Sequence, residues 1–197
     1  MEEGGAGTRQ RILSAAAEIV RMGGPGALTF DAVAARLGIT KQAVIYWFPT
    51  KAELMSGVSV PFLEAEAEAV VAAVSDAESP ADAARRVVAA VTDFHLGDLD
   101  RFRLMYVVPQ SGRRPGARET AAVLERVHPV TTRMYDAVEA ALGGGGEARE
   151  TAVALHMAAL GVAMLTATTE ALGDPMAQAP RRLAARLAAI AERGAMR

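Results

Sequence analysis

"LGITKQAVIYWFPTK", residues Leu37–Lys51, sets three aromatic side chains in a row, Tyr46, Trp47 and Phe48, in a chain that is only 5% aromatic. The same segment holds both lysines, Lys41 and Lys51, while every other basic side chain is arginine. Gly38 is placed to stop a helix and Thr40 to cap the next one. Pro49 closes that helix by removing a backbone donor, and a further helix opens near Thr50 or Lys51. The pattern predicts a short helix from Thr40 to about Trp47.

Just upstream, Thr29 reads as another N-cap, with Ala32, Val33 and Leu37 on the buried side of a second short helix that Gly38 ends. Two short helices joined by a tight, glycine-containing turn are the helix-turn-helix pattern. In that motif the first helix braces the second, whose N-terminal side chains enter the DNA major groove. Thr40, Lys41, Gln42 and Ala43 occupy that first turn. Lysine donates to guanine, glutamine bridges adenine edges, and alanine touches a thymine methyl. Tyr46 lies one turn on, within reach of a phosphate or a base, and Lys51 is placed to grip backbone phosphate. Plainer roles fit some of these residues. Thr29 and Thr40 serve as caps, Phe48 as core, and Trp47 as core, groove contact or both.

Working outward, the chain reads as helix nearly throughout. Alternating β-branched runs are missing, and Ala, Leu, Arg and Glu dominate. A first helix is expected from near Thr8, with Ile12, Leu13, Ala16, Ile19 and Val20 as its apolar stripe, ending at Gly23-Gly24-Pro25-Gly26. Past Lys51 the helices lengthen. Pro61 is expected to kink or interrupt the fourth, and Ser79-Pro80-Ala81-Asp82 starts another that runs to Gly97. A short helix ends at Pro109, and residues 111–117 form a polar loop. Pro129 is a second expected kink, glycines 143–146 are a break, and the last helix is expected to start at Asp174-Pro175. The fold class is therefore all-α, about nine helices: an N-terminal three-helix helix-turn-helix domain over 1–51, then a larger helical domain over 52–197.

Charge is uneven. Residues 1–51 carry six Lys/Arg against four Asp/Glu, net +2, and the remainder is net -4, which points the N-terminal part toward an anionic partner. The absence of cysteine excludes disulfides and Cys-based zinc or nucleophile sites. MEEGGAG is acidic and glycine-rich, unlike a signal peptide. The most apolar stretch, 151–169, holds His156 and threonines and reads as a buried helix, so no membrane partner and a cytoplasmic location are expected.

No chemistry-bearing motif suggests an enzyme. A phosphate loop, a G-x-S-x-G elbow and metal-spaced His/Asp/Glu clusters are all missing. His95, His128 and His156 fall on three separate helices, so no metal or other cofactor is expected. Glu64, Glu66 and Glu68 alternate along one helix and read as a solvated surface.

The run from Thr8 to about Val58 resembles the DNA-binding domain of TetR-family transcriptional regulators. The likeness rests on Leu28-Thr29-Phe30-Asp31-Ala32-Val33-Ala34, on Leu37-Gly38-Ile39, and on the exit Tyr46-Trp47-Phe48-Pro49-Thr50-Lys51. It covers about a quarter of the chain. Gln42-Ala43 stands where the family often has Gly-Thr, which implies a more specific base contact at Gln42. The tyrosine that the family commonly uses on phosphate is replaced by Ile45, which passes that contact to Tyr46 or Trp47.

The resemblance implies a homodimer on a pseudo-palindromic double-stranded DNA operator, and a C-terminal domain that encloses a small-molecule pocket and dimerises through its last two helices. Leu183, Leu187 and Ile190, with Leu160 and Met164 on the preceding helix, are the expected dimer interface. Phe94, His95, Phe102, Tyr106, His128, Met134, Tyr135 and His156 are the candidate lining for an apolar or amphipathic effector. A repressor released by that effector is the expected function. A ligand-independent DNA-binding protein or a helical interaction module are the other readings.

Overall fold

The computed structural model describes residues 3–107, 116–174 and 179–195. Among them there is no strand, and nine α-helices follow one another: α1 (Glu3–Ala27), α2 (Phe30–Leu37), α3 (Lys41–Trp47), α4 (Lys51–Ser75), α5 (Pro80–Leu96), α6 (Leu99–Phe102), α7 (Ala117–Ala141), α8 (Gly146–Leu172) and α9 (Pro180–Gly194). A π-helical turn, Arg103–Val107, follows α6.

The caps expected from the sequence form. The Thr29 Oγ1 accepts from the Ala32 N–H at 3.0 Å, the Thr40 Oγ1 from Ala43 at 3.2 Å and the Ser79 Oγ from Asp82 at 3.1 Å. Gly38 takes the left-handed conformation (φ 64°) and returns its N–H to the last turn of α2, the arrangement that turns α2 into α3. Thr50 and Glu53 make a reciprocal capping box at the head of α4, since the Thr50 Oγ1 both accepts from the Glu53 N–H and donates to its carboxylate, each at 3.1 Å. Between α7 and α8 the backbone passes through three consecutive positive-φ glycines, Gly143, Gly144 and Gly145.

Some helix bounds differ from the sequence expectation. The first helix opens at Glu3 rather than near Thr8 and is bent at Gly24 (φ 71°). Helix α4 is not interrupted at Pro61, nor α7 at Pro129; both prolines sit at exposed positions. Helix α9 starts at Pro180, with Ala179 as an extended cap residue and no side-chain cap bond. Pro175, like Pro109 and residues 111–115 of the expected polar loop, lies outside the described residues.

The chain divides into two compact units. One comprises 1–63 and 103–128; the other comprises 64–102 and 129–197, so a division falls within α4. In the first unit, Ile12, Leu13, Ala16 and Val20 of α1 pack with Leu28, Val33, Val44, Phe48, Leu54, Val58 and Leu104 in an apolar core. Gly57 lets α4 come close: a Cβ there would stand 2.8 Å from Leu13 Cδ2 and 3.0 Å from Phe48 Cε1.

In the second unit α5 packs chiefly on α9 and α8, with Val87, Val88 and Val91 buried. Small residues at Ala159, Ala163, Ala167, Ala184 and Ala188 allow these helices to approach closely. Helix α8 is by length and composition apolar enough to cross a membrane, with a mean hydropathy of 1.6 over its best window. One face of α8, with Ala152, His156, Ala159 and Ala163, is buried, while Met157, Leu165 and Leu172 are exposed, so the fully buried helix expected over 151–169 is buried on one side only.

Candidate nucleic-acid interface

The first unit presents α3 from a closed core. Val44 and Phe48 are buried anchors, Trp47 is half-buried against the same core, and the Arg9 guanidinium lies 5.1 Å from the Phe48 ring centre. Phe48 is thus a core residue, and Trp47 contributes to the core too. Tyr46 points outward at 78% exposure, its ring edge-on to Trp47 with centroids 5.3 Å apart. Lys41 and Gln42 are exposed and Ala43 half-buried, so the first turn of α3 offers a cation, an amide and a small apolar group together.

Thr29 and Thr40 spend their side-chain oxygens as caps, and each keeps its hydroxyl hydrogen to donate. Lys51 is exposed in the first turn of α4. Lys41 is ion-paired: its Nζ lies 2.8 Å from the Asp31 Oδ2 on α2. Lys41, read from sequence as a donor to guanine or as solvated surface, therefore has a protein partner on the first turn of the other motif helix.

Residues 12–58 match the model of the family described as bacterial regulatory proteins, tetR family. That span runs from the buried face of α1 through the helix-turn-helix into α4. The helix-turn-helix is that of the TetR family of transcriptional regulators. TetR-family regulators are DNA-binding regulators and not enzymes.

Solved structures agree on the fold over almost the whole chain. A bacterial regulatory protein in the tetR family from Rhodococcus RHA1 is 23% identical, with 94% of this chain and 95% of that one covered and a TM-score of 0.64. A transcriptional regulator of the TetR/AcrR family from Thermobifida fusca YX-ER1 is 22% identical, covering 95% and 97%, with a TM-score of 0.61. The multidrug binding protein EbrR, solved with imidazole, is 22% identical, covering 91% and 93%, with a TM-score of 0.58. At these identities the likeness speaks to fold. No curated protein matches the sequence.

The second unit departs from the sequence expectation at one carboxylate. Glu66, expected on a solvated face with Glu64 and Glu68, is fully buried, while those two are exposed. It stands four residues after Phe62 and four before Val70, on the apolar stripe of α4, and that register is the signal that could have found it. Its Oε1 accepts from the Nε2 of His95 on α5 and of His156 on α8, each at 3.0 Å. The Nδ1 of the same His156 is hydrogen-bonded to the Tyr135 hydroxyl on α7 at 2.7 Å.

Burial pushes the Glu66 carboxyl up, but hydrogen bonds from His156 and His95, together with their charge, outweigh it and hold it at about 2. Burial, and then the Glu66 charge, raise the Tyr135 phenol. Outside the phenol ring, Arg149 lies 5.4 Å from its centre and pairs with Asp136 at 2.6 Å and Glu139 at 3.3 Å.

Of the expected pocket residues, the structure brings together His95, Tyr135 and His156 through Glu66. Phe94 and Phe102 stand edge-on to the His95 ring, with centroids 5.1 and 5.3 Å away. Met134 is buried in the same unit, whereas Tyr106 and the exposed His128 belong to the other. Among the expected interface residues, Leu160 is buried, Leu183 and Leu187 are half-buried, and Met164 and Ile190 are exposed. Among the described residues no group of three or more His, Asp or Glu side chains is arranged to hold a metal ion.

Proposed function

We propose that this regulator is a cytoplasmic homodimeric repressor whose two copies of α3 read a pseudo-palindromic operator, and that a small apolar or amphipathic ligand releases it. The observation that carries the reading is the first turn of α3. Lys41 and Gln42 stand exposed on a helix whose other side, at Val44 and Phe48, is locked into an apolar core. Side chains that read base edges need that kind of fixed support. On this reading residues 1–51 bind DNA and residues 52–197 bind the ligand and dimerise.

Exposed apolar side chains support the dimer. Met157, Met164, Leu165 and Leu172 of α8 and Ile190 of α9 are between 37% and 75% exposed, more uncovered apolar surface than these helices need for their own packing. The likeness to EbrR, a multidrug binding protein, supports an apolar effector. Such a ligand acts by its differential affinity: binding the DNA-free form better, it lowers operator affinity by the same factor.

The test is fluorescence anisotropy against DNA from upstream of the regulator's own gene and against duplexes selected from a random-sequence library. Lys41→Ala and Gln42→Ala are each expected to weaken specific binding by about 5- to 100-fold, the worth of a good base contact. Failure to enrich any sequence from the library overturns the DNA-reading role of α3.

A further inference from the structure

Between Glu18 and Glu53 the chain has one acidic residue, Asp31. Helix α3 has one charged residue, Lys41. The structure joins these two, with 2.8 Å between Asp31 Oδ2 and Lys41 Nζ, from the first turn of α2 to the first turn of α3. Asp31 is not needed to cap α2, because Thr29 does that. The one basic residue of α2, Arg36, pairs instead with Glu18 of α1 at 2.6 Å. So the one acid in the motif is set on the one cation of the helix that reads bases.

We propose that Asp31 is a specificity-determining residue, which withholds Lys41 from the phosphates of unrelated DNA and yields it only to a base edge of the operator. The proposal rests on α3 reading DNA.

The physics is a competition for one ammonium. Both side chains are exposed, Lys41 at 46% and Asp31 at 69%, and a pair so exposed is weak. It is weak enough for a guanine edge, which offers two acceptors in fixed positions, to displace the carboxylate. A single phosphate offers a diffuse and screened attraction and does not repay the loss of a carboxylate already at 2.8 Å. Pairing lowers binding to all DNA, and the operator alone recovers the difference. Affinity falls a little and discrimination rises, which is how a charge placed against the wrong partner produces specificity.

The experiment measures Kd over a series of salt concentrations for two probes, the library-selected duplex and a scrambled duplex of the same length. It compares wild type, Asp31→Asn, Lys41→Ala and the double variant, with thermal melts to verify that the exposed substitutions leave folding unchanged. In Asp31→Asn the salt slope on the scrambled duplex is expected to steepen by about 0.9 per protomer, about 1.8 for the dimer, the signature of one more phosphate contact from each copy of α3. The ratio of scrambled to selected Kd is expected to fall about two- to fivefold, in keeping with a surface ion pair. In the Lys41→Ala background Asp31→Asn should leave that ratio unchanged. An unchanged ratio in the single variant, or an equal fall in the Lys41→Ala background, overturns the proposal while leaving the DNA reading intact. Absence of binding by wild type to either probe removes the DNA reading and this inference with it.

Discussion

The two units handle charge in opposite ways. The first unit's buried core is apolar apart from Ser56, and its ion pairs, Arg36–Glu18 and Lys41–Asp31, lie on the surface of the motif. The second takes an ionised carboxylate to its centre and holds it with imidazoles from two further helices. A surface ion pair contributes little to stability and is free to exchange partners, which suits a surface that must let go of itself to touch DNA. A buried carboxylate with hydrogen-bonded partners is costly to break on one side and is a poor source of net stability against an apolar alternative, so it ties α4, α5 and α8 into one specific arrangement.

The sharpest break in that comparison is a cavity in the apolar unit. Phe48→Ala, at a 1% exposed site touching the Gly57 side of α4, is expected to cost about 3 to 5 kcal/mol and to abolish DNA binding, as read by urea denaturation and anisotropy together. Glu66→Gln makes the parallel change in the other unit, keeping shape and removing charge, and is expected to cost about 1.5 to 3 kcal/mol. Two histidines then face a neutral amide.

The same variant tests the pH response. The folded-state carboxyl of Glu66 sits at about 2 against an ordinary 4.5, so its contribution is fully present above pH 4.5 and is lost as pH falls toward 2. Urea midpoints measured down that range should fall more steeply for wild type than for Glu66→Gln. Parallel curves would mean that the carboxylate is not the charged centre described here. Tyr135→Phe is the mildest test. It removes the 2.7 Å bond to His156 Nδ1 and is expected to cost about 0.5 to 1.5 kcal/mol without changing affinity for operator DNA.

Legibility follows the same division. The helix-turn-helix could be read because its determinants are local: Thr29, Gly38, Thr40 and Pro49 act within a turn of where they stand, and Phe48 and Val44 repeat at helical spacing. Pro61 and Pro129 do not interrupt their helices, because each removes a single backbone donor from a helix of 25 residues whose other bonds remain. Ala179-Pro180 opens α9 without a side-chain cap, a weak signal in the sequence. Glu66 escaped because a charged residue type was taken as evidence of exposure, although its position between Phe62 and Val70 marked the buried stripe. Its partners are 29 and 90 residues away in sequence, beyond the range of any local pattern. The Asp31–Lys41 pair went unread for a milder reason, since both residues were visible but only the fold makes them neighbours.

The connection between α7 and α8 carries a different kind of instruction. Gly143, Gly144 and Gly145 have φ of 104°, 79° and 91°, and a methyl group built on any of them meets nothing within 4 Å. Room is plentiful there, so bulk is not what reserves these positions for glycine; handedness is. An L-alanine at any of the three would be forced into a backbone region that its own stereochemistry penalises, while its mirror image would sit there at ease. A semisynthetic chain with D-alanine in this turn should therefore keep the fold and gain stability through a less varied unfolded state, whereas the L-isomer at the same site should lose it.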